Sequence, residues 1–439
     1  MRRDKMISER YVTCAEYSSG RGINAGRVVL HADLNNFFAS VECANSPDRS
    51  LLQKPVAVCG SRELRHGIVL AKNEKAKFYG VKTGETISDA LKKCPSLVIL
   101  SAHYDLYMQY SRAARDIYLR YTDKVEPFGM DEAWIELSDC REVRSISDGA
   151  RVADEIRNAI KKELGVTASV GVSDNKVFAK LGSDYKKPDA TTVFSPAEYE
   201  GVISKLPLSD ILFAGRSTCA RLRSYGITTI GQAAGKDEYF MKAILGKNGL
   251  TLRSFCRGED TSPVAYFGSA PDAKSVGNST TPPKDISSFL EAKLILSSLC
   301  DTVCSRLRAE KLKCRGIKMH FRLTDLQLFE RQMPLGFCTS SARDMLAFAC
   351  MLLAKSVDLT KTPLRSIGVC AINLAPADGL CQMSLFPEDS GRKDIIDSTV
   401  DRIRGRFGFS KISTNALSLC DTEMLGKIDR GYEVFTHLR

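Results

Sequence analysis

The stretch RVVLHADLNNFFASVE, from Arg27 to Glu42, is the part of the sequence that indicates the fold most strongly. Its apolar start, Val28 to Leu30, is a short β-branched run of the kind that forms a buried strand. Asp33 follows this run, and small residues from Ala39 onward predict the start of a helix. A strand that ends on a carboxylate and turns at once into a helix suits metal and phosphate chemistry, because a helix N-terminus offers unpaired N–H groups to an anion. An Asp that only caps a turn is the alternative interpretation.

A second acidic segment lies further along the chain, where Asp131 and Glu132 open an alternating apolar run. The alternation of Ala133, Ile135 and Leu137 predicts a strand with one buried face. Adjacent strand residues point to opposite faces, so both acids can reach one metal only where the strand is not yet regular. An exposed surface pair is the alternative for these two acids.

Length and charge narrow the class of protein. The chain has 439 residues, which is too many for one core and predicts three or four domains, and its content of 44% hydrophobic and 26% charged residues is that of a globular protein. The net charge of +11 favours a polyanionic partner such as nucleic acid. No apolar run reaches the roughly 20 residues of a membrane span, and residues 1–22 lack the apolar core of a signal peptide, so a cytoplasmic protein without membrane contact is expected.

The cysteine pattern does not predict disulfides or zinc. Fifteen cysteines are scattered through apolar stretches without a CxxC pair, and the five histidines have no ligand spacing with them. In a long cytosolic chain such cysteines are expected to be reduced and buried.

Strands alternate with helices over the first 190 residues, which predicts an α+β layer. From Leu206 to Leu252 the pattern changes to short helices broken at glycines. Within it, Arg221 to Gly231 is typical of a helix-hairpin-helix, whose backbone N–H groups can bind a DNA phosphate without reading sequence. An ordinary helical hairpin is the alternative.

A second α+β domain is predicted after a stretch rich in Gly, Ser, Pro and Asp, from Gly258 to Ser287, that is typical of a linker. Two helices and two strands follow, and Arg306 to Arg331 holds eight basic and three acidic residues, which suits a duplex backbone. The segment Asp394 to Phe407 predicts a basic amphipathic helix.

Four segments occur in an order and separation that resemble the Y-family translesion DNA polymerases of the bacterial polymerase IV type: HADLNNFFASVE, MDEAWIEL, SVGVSDNKVFAKLGSDYKKP and QMSLF. The resemblance covers about residues 27–420 and implies an α+β right-hand polymerase fold, with a ferredoxin-like mixed sheet in the palm. The implied domains are a flexible extension (1–25), a palm (26–50 and 99–192), fingers (51–98), a helical thumb with a helix-hairpin-helix (193–262), a linker (263–271), a C-terminal α+β little finger (272–375) and a tail (376–439).

The resemblance implies a low-fidelity polymerase that adds deoxynucleotides to a primer 3′ end in translesion synthesis. Asp33, Asp131 and Glu132 match the catalytic carboxylates, which would hold two Mg²⁺, and Leu34 joins the metal ligands. Joining a nucleotide is an in-line attack of the primer 3′-hydroxyl on the α-phosphate, and two hard divalent cations held by carboxylates suit that chemistry.

Other matching residues would select and hold the nucleotide. Phe38 matches the steric gate, whose ring excludes a ribose 2′-hydroxyl. The triphosphate-binding set implied by the resemblance is Asn35, Asn36, Phe37, Lys77 and Lys187, with Lys176 and Lys180 as weaker candidates for phosphate or primer contact.

The fingers depart from the family pattern Thr-Ala-Asn-Tyr-x-x-Arg, because the segment Ala71 to Lys77 reads AKNEKAK. Lys77 supplies charge without the two-pronged geometry of arginine. Glu74 would repel a triphosphate, so we expect it to point away from the site. Asn35 stands where many members carry a second Asp, which lowers the negative charge of the site.

The expected partners are primer-template DNA, deoxynucleoside triphosphates and a sliding clamp, and the protein is expected to be a monomer. QMSLF resembles a clamp-binding peptide, with Gln382 for a polar subsite and Leu385 and Phe386 for an apolar pocket. Two alternatives stay open at this point, a catalytically impaired DNA-binding scaffold of the same fold and a metal nuclease that uses the same acids.

Overall fold

The computed structural model describes residues 26–61, 67–195, 198–269, 273–378, 390–408 and residue 412. The predicted N-terminal extension (1–25) and the predicted clamp-binding peptide (382–386) lie outside these residues. The chain divides into two units. The first contains the described residues of 26–60 and 68–269, and the second contains residues 61 and 67 and the described residues from 273 onward.

The first unit contains two sheets and most of the helices. Its strands are β1 (Val29–Leu34), β2 (Val56–Cys59), β3 (Val69–Lys72), β4 (Val98–Ser101), β5 (Val125–Pro127), β6 (Glu132–Glu136), β7 (Ala168–Ser173) and β8 (Thr191–Phe194). Its helices are α1 (Phe37–Asn45), α2 (Glu74–Phe78), α3 (Ile87–Lys93), α4 (Tyr104–Tyr118), α5 (Ile146–Leu164), α6 (Lys176–Tyr185), α7 (Glu198–Gly201), α8 (Arg216–Arg223), α9 (Ile230–Ala234), α10 (Glu238–Leu245) and α11 (Lys247–Cys256).

The predicted palm is built on a five-stranded sheet with the order β5-β6-β1-β7-β8, in which β1 is antiparallel to both neighbours. Side chains of a strand alternate between faces. Leu30, Ala32 and Leu34 enter the core that α4 and α5 complete, so His31 and Asp33 point to the opposite face.

Helix α6 covers that opposite face at very close range. A Cβ atom on Gly171 of β7 would lie 1.8 Å from the carbonyl oxygen of Ala179 in α6, so only glycine allows this approach. The indole Nε1 of Trp134 donates a 2.9 Å hydrogen bond to the carbonyl of Lys176. These contacts bring the C-terminal half of α6 beside the end of β1.

The predicted fingers contain a three-stranded sheet with the order β3-β2-β4, where β2 is antiparallel to β3 and parallel to β4. Its third strand continues to Ser101, beyond the residue 98 at which the sequence predicts the fingers to end. The thumb region is helical. A turn with Gly226 at φ 74° follows α8, and Thr229 and Gln232 form a capping box at the start of α9, so two helices flank a glycine-bearing turn. This arrangement is common to a helix-hairpin-helix and to an ordinary helical hairpin.

Part of the predicted linker is held against the palm. The N–H of Val264 donates to Glu136 at 3.3 Å, that of Ala265 to Glu126 at 2.8 Å and that of Phe267 to the carbonyl of Asp123 at 2.9 Å. The segment that the sequence predicts to be a linker therefore has fixed hydrogen-bond partners in this part.

The second unit is an α+β domain with a four-stranded antiparallel sheet in the order β11-β10-β12-β9. Its elements are β9 (Ser275–Thr280), α12 (Phe289–Ala309), β10 (Leu312–Leu323), β11 (Leu328–Thr339), α13 (Ala342–Ser356), β12 (Leu364–Pro376) and α14 (Ser390–Phe407). Helices α12 and α13 share one apolar core with the sheet. The ion pairs of Arg308 with Asp401 and of Arg404 with Asp301 join α14 to the domain.

The sequence predicts that no helix spans a membrane and that the cysteines are reduced and buried. Within the described residues, no helix is long and apolar enough to cross a membrane. Cys300 and Cys304 of α12 are reduced and fully buried, as expected, and burial raises the pKa of both thiols well above its usual value. Cys338 differs from the expectation, because it is disulfide-bonded.

Candidate active site

Three carboxylates meet at the end of β1. Asp33 pairs with Glu132 in the register of β1 and β6, so the two residues are direct neighbours across the sheet. The N–H of Leu34 donates a 2.9 Å hydrogen bond to the carbonyl of Asp131, which places Asp131 beside the same strand end. The structure therefore brings together the acids that the sequence predicts to share a site.

The turn before β6 explains how adjacent acids can serve one site. Strand β6 begins at Glu132, so Asp131 precedes the regular strand and is not bound by its alternation. Gly129 adopts φ 114°, and its carbonyl accepts a 3.0 Å hydrogen bond from the guanidinium of Arg115 in α4. This buried arginine fixes the turn that presents Asp131.

Two lysines from the α6 region neutralise two of the acids. Lys187 Nζ lies 2.8 Å from Asp33 Oδ2 and 2.7 Å from Asp184 Oδ1, and Lys180 forms an ion pair with Glu132. Lys187 was predicted to bind the triphosphate. Lys180 was predicted only as a weaker phosphate or primer contact, and the structure shows that a site carboxylate is its partner.

A buried histidine also contacts Glu132. His31 Nε2 lies 3.3 Å from Glu132 Oε2, and its Nδ1 lies 2.8 Å from Ser183 Oγ. Burial lowers the pKa of His31, which favours the neutral imidazole. His31 therefore orients Glu132 from beneath the site.

The three acids differ in charge balance. Burial, together with the charges of Asp33 and Glu132, raises the pKa of Asp131 to about 7. Burial also raises the pKa of Asp33, although Lys187 acts against it. Burial opposes ionisation of Glu132 as well, but the contact with His31 and the ion pair with Lys180 outweigh burial and lower the pKa of Glu132. Asp131 is thus the acid with the least compensation.

Within the described residues, no group of three or more His, Cys, Asp or Glu side chains is arranged to hold a metal ion. Asp33 and Glu132 are instead engaged by the lysines described above. The phenol of Tyr118 in α4 is fully buried without a hydrogen-bond partner in the described part of the chain, and burial, with Asp33 and Asp131 nearby, raises its pKa.

Phe38, the predicted steric gate, is a half-buried residue of α1 with a fixed ring. Its ring stacks on that of Tyr107 with centroids 4.1 Å apart and planes 11° apart. The side chain of Phe37, which the resemblance placed in the triphosphate-binding set, is buried in the core of the predicted palm.

Tyr107 is itself anchored. Its phenol donates to the buried carboxylate of Glu42, which also accepts a 3.2 Å hydrogen bond from the backbone N–H of His103. The surface on which Phe38 rests is therefore held by a buried hydrogen bond.

The start of α1 fits an anion at Asn36 and beyond. Asn36 is the N-cap residue, in the left-handed region at φ 51°, and its side chain does not cap the helix. The first N–H groups of a helix have no acceptor within it, so those of Phe37 and Phe38 remain for another partner.

Asn35 does not fit the predicted triphosphate set. Its N–H donates to the carbonyl of Thr167 at 2.9 Å, and its buried amide bonds the hydroxyls of Thr167 and Ser169 at 3.1 and 2.9 Å. Both groups already have partners inside the palm, where they join the end of β1 to the start of β7.

Two further expectations need correction. Glu74 was expected to point away from the site, but its Oε1 accepts a 3.1 Å hydrogen bond from Asn36 Nδ2. Lys176 was a candidate for phosphate contact, but its ammonium lies 2.7 Å from Glu126 Oε1 and 4.4 Å from the centre of the Trp134 ring. Lys176 is thus a structural residue that supports β5 and β6.

Sequence reasoning missed Arg115, Tyr118 and His31. The alternation of β1 placed His31 on the same face as Asp33, which was an available signal. Arg115 and Tyr118 lie on a helix whose apolar face was recognised, but a single sequence does not show where that face meets the turn at Gly129.

Comparison with solved structures defines the class of the fold. The chain is similar to the Y-family DNA polymerase chimera Dbh-Dpo4(243-245)-Dbh, with a TM-score of 0.70 and 23% identity over 80% of this chain and 99% of that one. At this identity the likeness shows the fold alone. The fold is that of a Y-family polymerase, which confirms the predicted fold class.

Comparison of sequences identifies the family. Residues 32–184 match the impB/mucB/samB family, and residues 273–385 match the C-terminal domain of that family. The DNA polymerase IV of Acetivibrio thermocellus is 46% identical over 89% of this chain and 97% of its own length, and the DNA polymerase IV 1 of Bacillus subtilis is 32% identical over 89% and 93%. The chain belongs to the impB/mucB/samB family, and the resemblance found in its sequence is confirmed.

Proposed function

We propose that the protein is a template-directed, low-fidelity DNA polymerase that extends a primer 3′ end by two-metal phosphoryl transfer in translesion synthesis. The observation that carries the proposal is the meeting of Asp33, Asp131 and Glu132 at one strand end. The named relatives support a polymerase over the alternative of an impaired scaffold of the same fold.

The types of residue at the site suit a divalent cation, and we propose Mg²⁺ at two positions, which Asp33 and Glu132 would hold after leaving their present lysine partners. Three carboxylates and the backbone carbonyl of Leu34 are hard oxygen donors of the kind that Mg²⁺ prefers. The raised pKa of Asp131 indicates negative charge without a cation partner. When bound, the two ions would lower the pKa of the attacking hydroxyl and neutralise charge on the leaving pyrophosphate.

The chain's own residues would place the nucleotide for attack by the primer hydroxyl. Phe38, held on Tyr107, would exclude a ribose 2′-hydroxyl. The N–H groups of Phe37 and Phe38 and the side chain of Asn36 would bind phosphate oxygens. Asp33 and Asp184 raise the pKa of Lys187, although burial acts in the opposite direction. The ammonium therefore stays charged, and it could exchange its ion pair with Asp33 for one with a phosphate oxygen.

The proposal also includes a sliding clamp and a primer-template duplex as binding partners. Gln382, Leu385 and Phe386 would bind a sliding clamp, and the net charge of +11 would favour a primer-template duplex. The monomeric state and the cytoplasmic location stay predictions from the sequence.

The double variant Asp131→Asn with Glu132→Gln tests the site assignment. It removes two of the three negative charges at nearly constant shape, so we expect Mg²⁺-dependent primer extension to fall at least about 1,000-fold, because each tenfold loss requires only about 1.4 kcal/mol of transition-state stabilisation. DNA binding should survive. The matched control is Asp154→Asn with Glu155→Gln, an adjacent acid pair on the exposed side of α5. Retained extension in the first variant would remove the assignment.

A further inference from the structure

The carboxylate of Glu74 lies beside the proposed phosphate site. Glu74 is the first residue of α2 in the fingers, and its Oε1 accepts a 3.1 Å hydrogen bond from Asn36 Nδ2. Asn36 is the N-cap residue of α1, which has no side-chain cap of its own. The chain therefore supplies a negative charge next to the helix end that is proposed to receive a triphosphate.

The same carboxylate also engages the cation that the fingers offer. Glu74 Oε2 lies 3.6 Å from Lys77 Nζ, one helical turn away. The two side chains are 44% and 55% exposed, so solvent screens the pair and its separation costs little. Asn36 and Lys77, two predicted triphosphate contacts, are thus both occupied by one weakly held acid.

We propose that Glu74 is an anionic competitor at the nucleotide site. Its carboxylate occupies the place of a phosphate, and it thereby raises the nucleotide concentration needed for half-maximal activity. A triphosphate offers the same anionic oxygens to Asn36 and Lys77 and repels the carboxylate, so the nucleotide has to displace Glu74 in order to bind. The inference rests on the proposed function, because it takes the triphosphate site to lie at the start of α1.

A purely structural role for Glu74 predicts something different. If its hydrogen bond only joins the fingers to the palm, Glu74→Gln would keep that bond and change nothing, whereas Glu74→Ala would loosen the fingers and weaken nucleotide binding. If Glu74 competes with the triphosphate, both substitutions remove the competing charge and strengthen nucleotide binding.

Single-nucleotide incorporation on a primed template separates the two roles. KM and kcat for a deoxynucleoside triphosphate are measured for the unmodified protein, Glu74→Gln and Glu74→Ala. The matched control is Asp89→Asn, which removes another exposed fingers acid, 3.0 Å from the lysine three residues further on. We expect a KM about two- to tenfold lower in both Glu74 variants, kcat within about twofold of the unmodified value, and no change in the control.

Salt dependence gives the second measurement. Because the effect is one of charge, the difference in KM between the unmodified protein and Glu74→Gln should shrink between about 50 mM and 500 mM salt. An unchanged or higher KM in Glu74→Gln would overturn the inference while leaving the polymerase intact. Absence of Mg²⁺-dependent incorporation by the unmodified protein would overturn the proposed function, and this inference with it.

Discussion

Single residues decide which sugar the site accepts. Phe38 is the only side chain that we assign to exclusion of a 2′-hydroxyl, and its stacked ring leaves it little freedom to move aside. Replacing it with a methyl group should open space beside the sugar without touching the acids.

We predict that Phe38→Ala raises ribonucleotide insertion relative to deoxynucleotide insertion by about 100-fold, which corresponds to about 3 kcal/mol of differential transition-state stabilisation. The ratio of kcat/KM values for the two sugars is the measurement. Tyr239→Ala, which removes an exposed thumb aromatic, is the control and should leave this ratio unchanged. Unaltered sugar selectivity in Phe38→Ala would show that another group acts as the gate.

Tyr107→Phe gives a graded form of the same prediction. The substitution keeps the stacked ring and removes the hydrogen bond to Glu42, so the platform under Phe38 loosens without disappearing. A loss of one buried hydrogen bond costs about 1–3 kcal/mol of stability. We expect a small drop in Tm and a loss of sugar selectivity of only a few-fold, clearly smaller than in Phe38→Ala.

At the scale of elements, the contact between β7 and α6 positions the two lysines that pair with the acids of the site. Lys180 lies on α6, and Lys187 follows the end of that helix. Both lysines reach the acids because Gly171 lets α6 approach the sheet closely. The geometry of the site therefore depends on a glycine that is not part of it.

Gly171→Ala should be strongly destabilising. The new Cβ would meet backbone atoms of α6 at 1.8 and 2.4 Å, which a flexible side chain cannot relieve. We expect a loss of about 3 kcal/mol or more in the free energy of unfolding, seen as a lower Tm of the first transition, and reduced extension in whatever protein stays folded. Gly201→Ala, where a Cβ meets nothing within 4 Å, should behave like the unmodified protein. Equal Tm values would contradict this account of the packing.

The elements that sequence patterns predicted correctly are those with regular periodicity. Strand β1 and helices α4 and α5 bury apolar residues at strand or helix spacing, so their faces could be predicted. Strand β9 could not, because SVGNST is a polar edge strand with Val276 as its single buried residue. Strand β11 is likewise mostly exposed and alternates too weakly to be recognised.

The site was predictable to the extent that residue type alone implies a role. Three acids and a bulky aromatic in familiar segments indicated a two-metal site with a gate, and the structure brings those acids together. The partners of Asn35, Glu74 and Lys176 were not predictable, because each depends on which distant backbone or side chain arrives beside it in the fold.

At the scale of the whole molecule, charge should govern binding to DNA. The net charge of +11 favours the phosphate backbone, and each phosphate that a lysine or arginine neutralises releases a counterion. We predict that affinity for a primer-template falls about 100-fold or more between about 50 and 200 mM salt, measured by fluorescence anisotropy. The Asp131→Asn, Glu132→Gln variant should show a similar slope, because it removes no lysine or arginine that could neutralise a DNA phosphate. Affinity independent of salt would contradict this electrostatic account.

The convergence of Asp33, Asp131 and Glu132 on divalent ions is most directly tested by anomalous diffraction. Crystals of the protein with primer-template DNA, a nucleotide and Mn²⁺ in place of Mg²⁺ would locate the ions. We predict two manganese peaks about 3.5–4 Å apart, within ligand distance of all three carboxylates, with Lys180 and Lys187 moved from their present partners. Manganese bound elsewhere, with these acids still paired to the lysines around a bound nucleotide, would contradict the account.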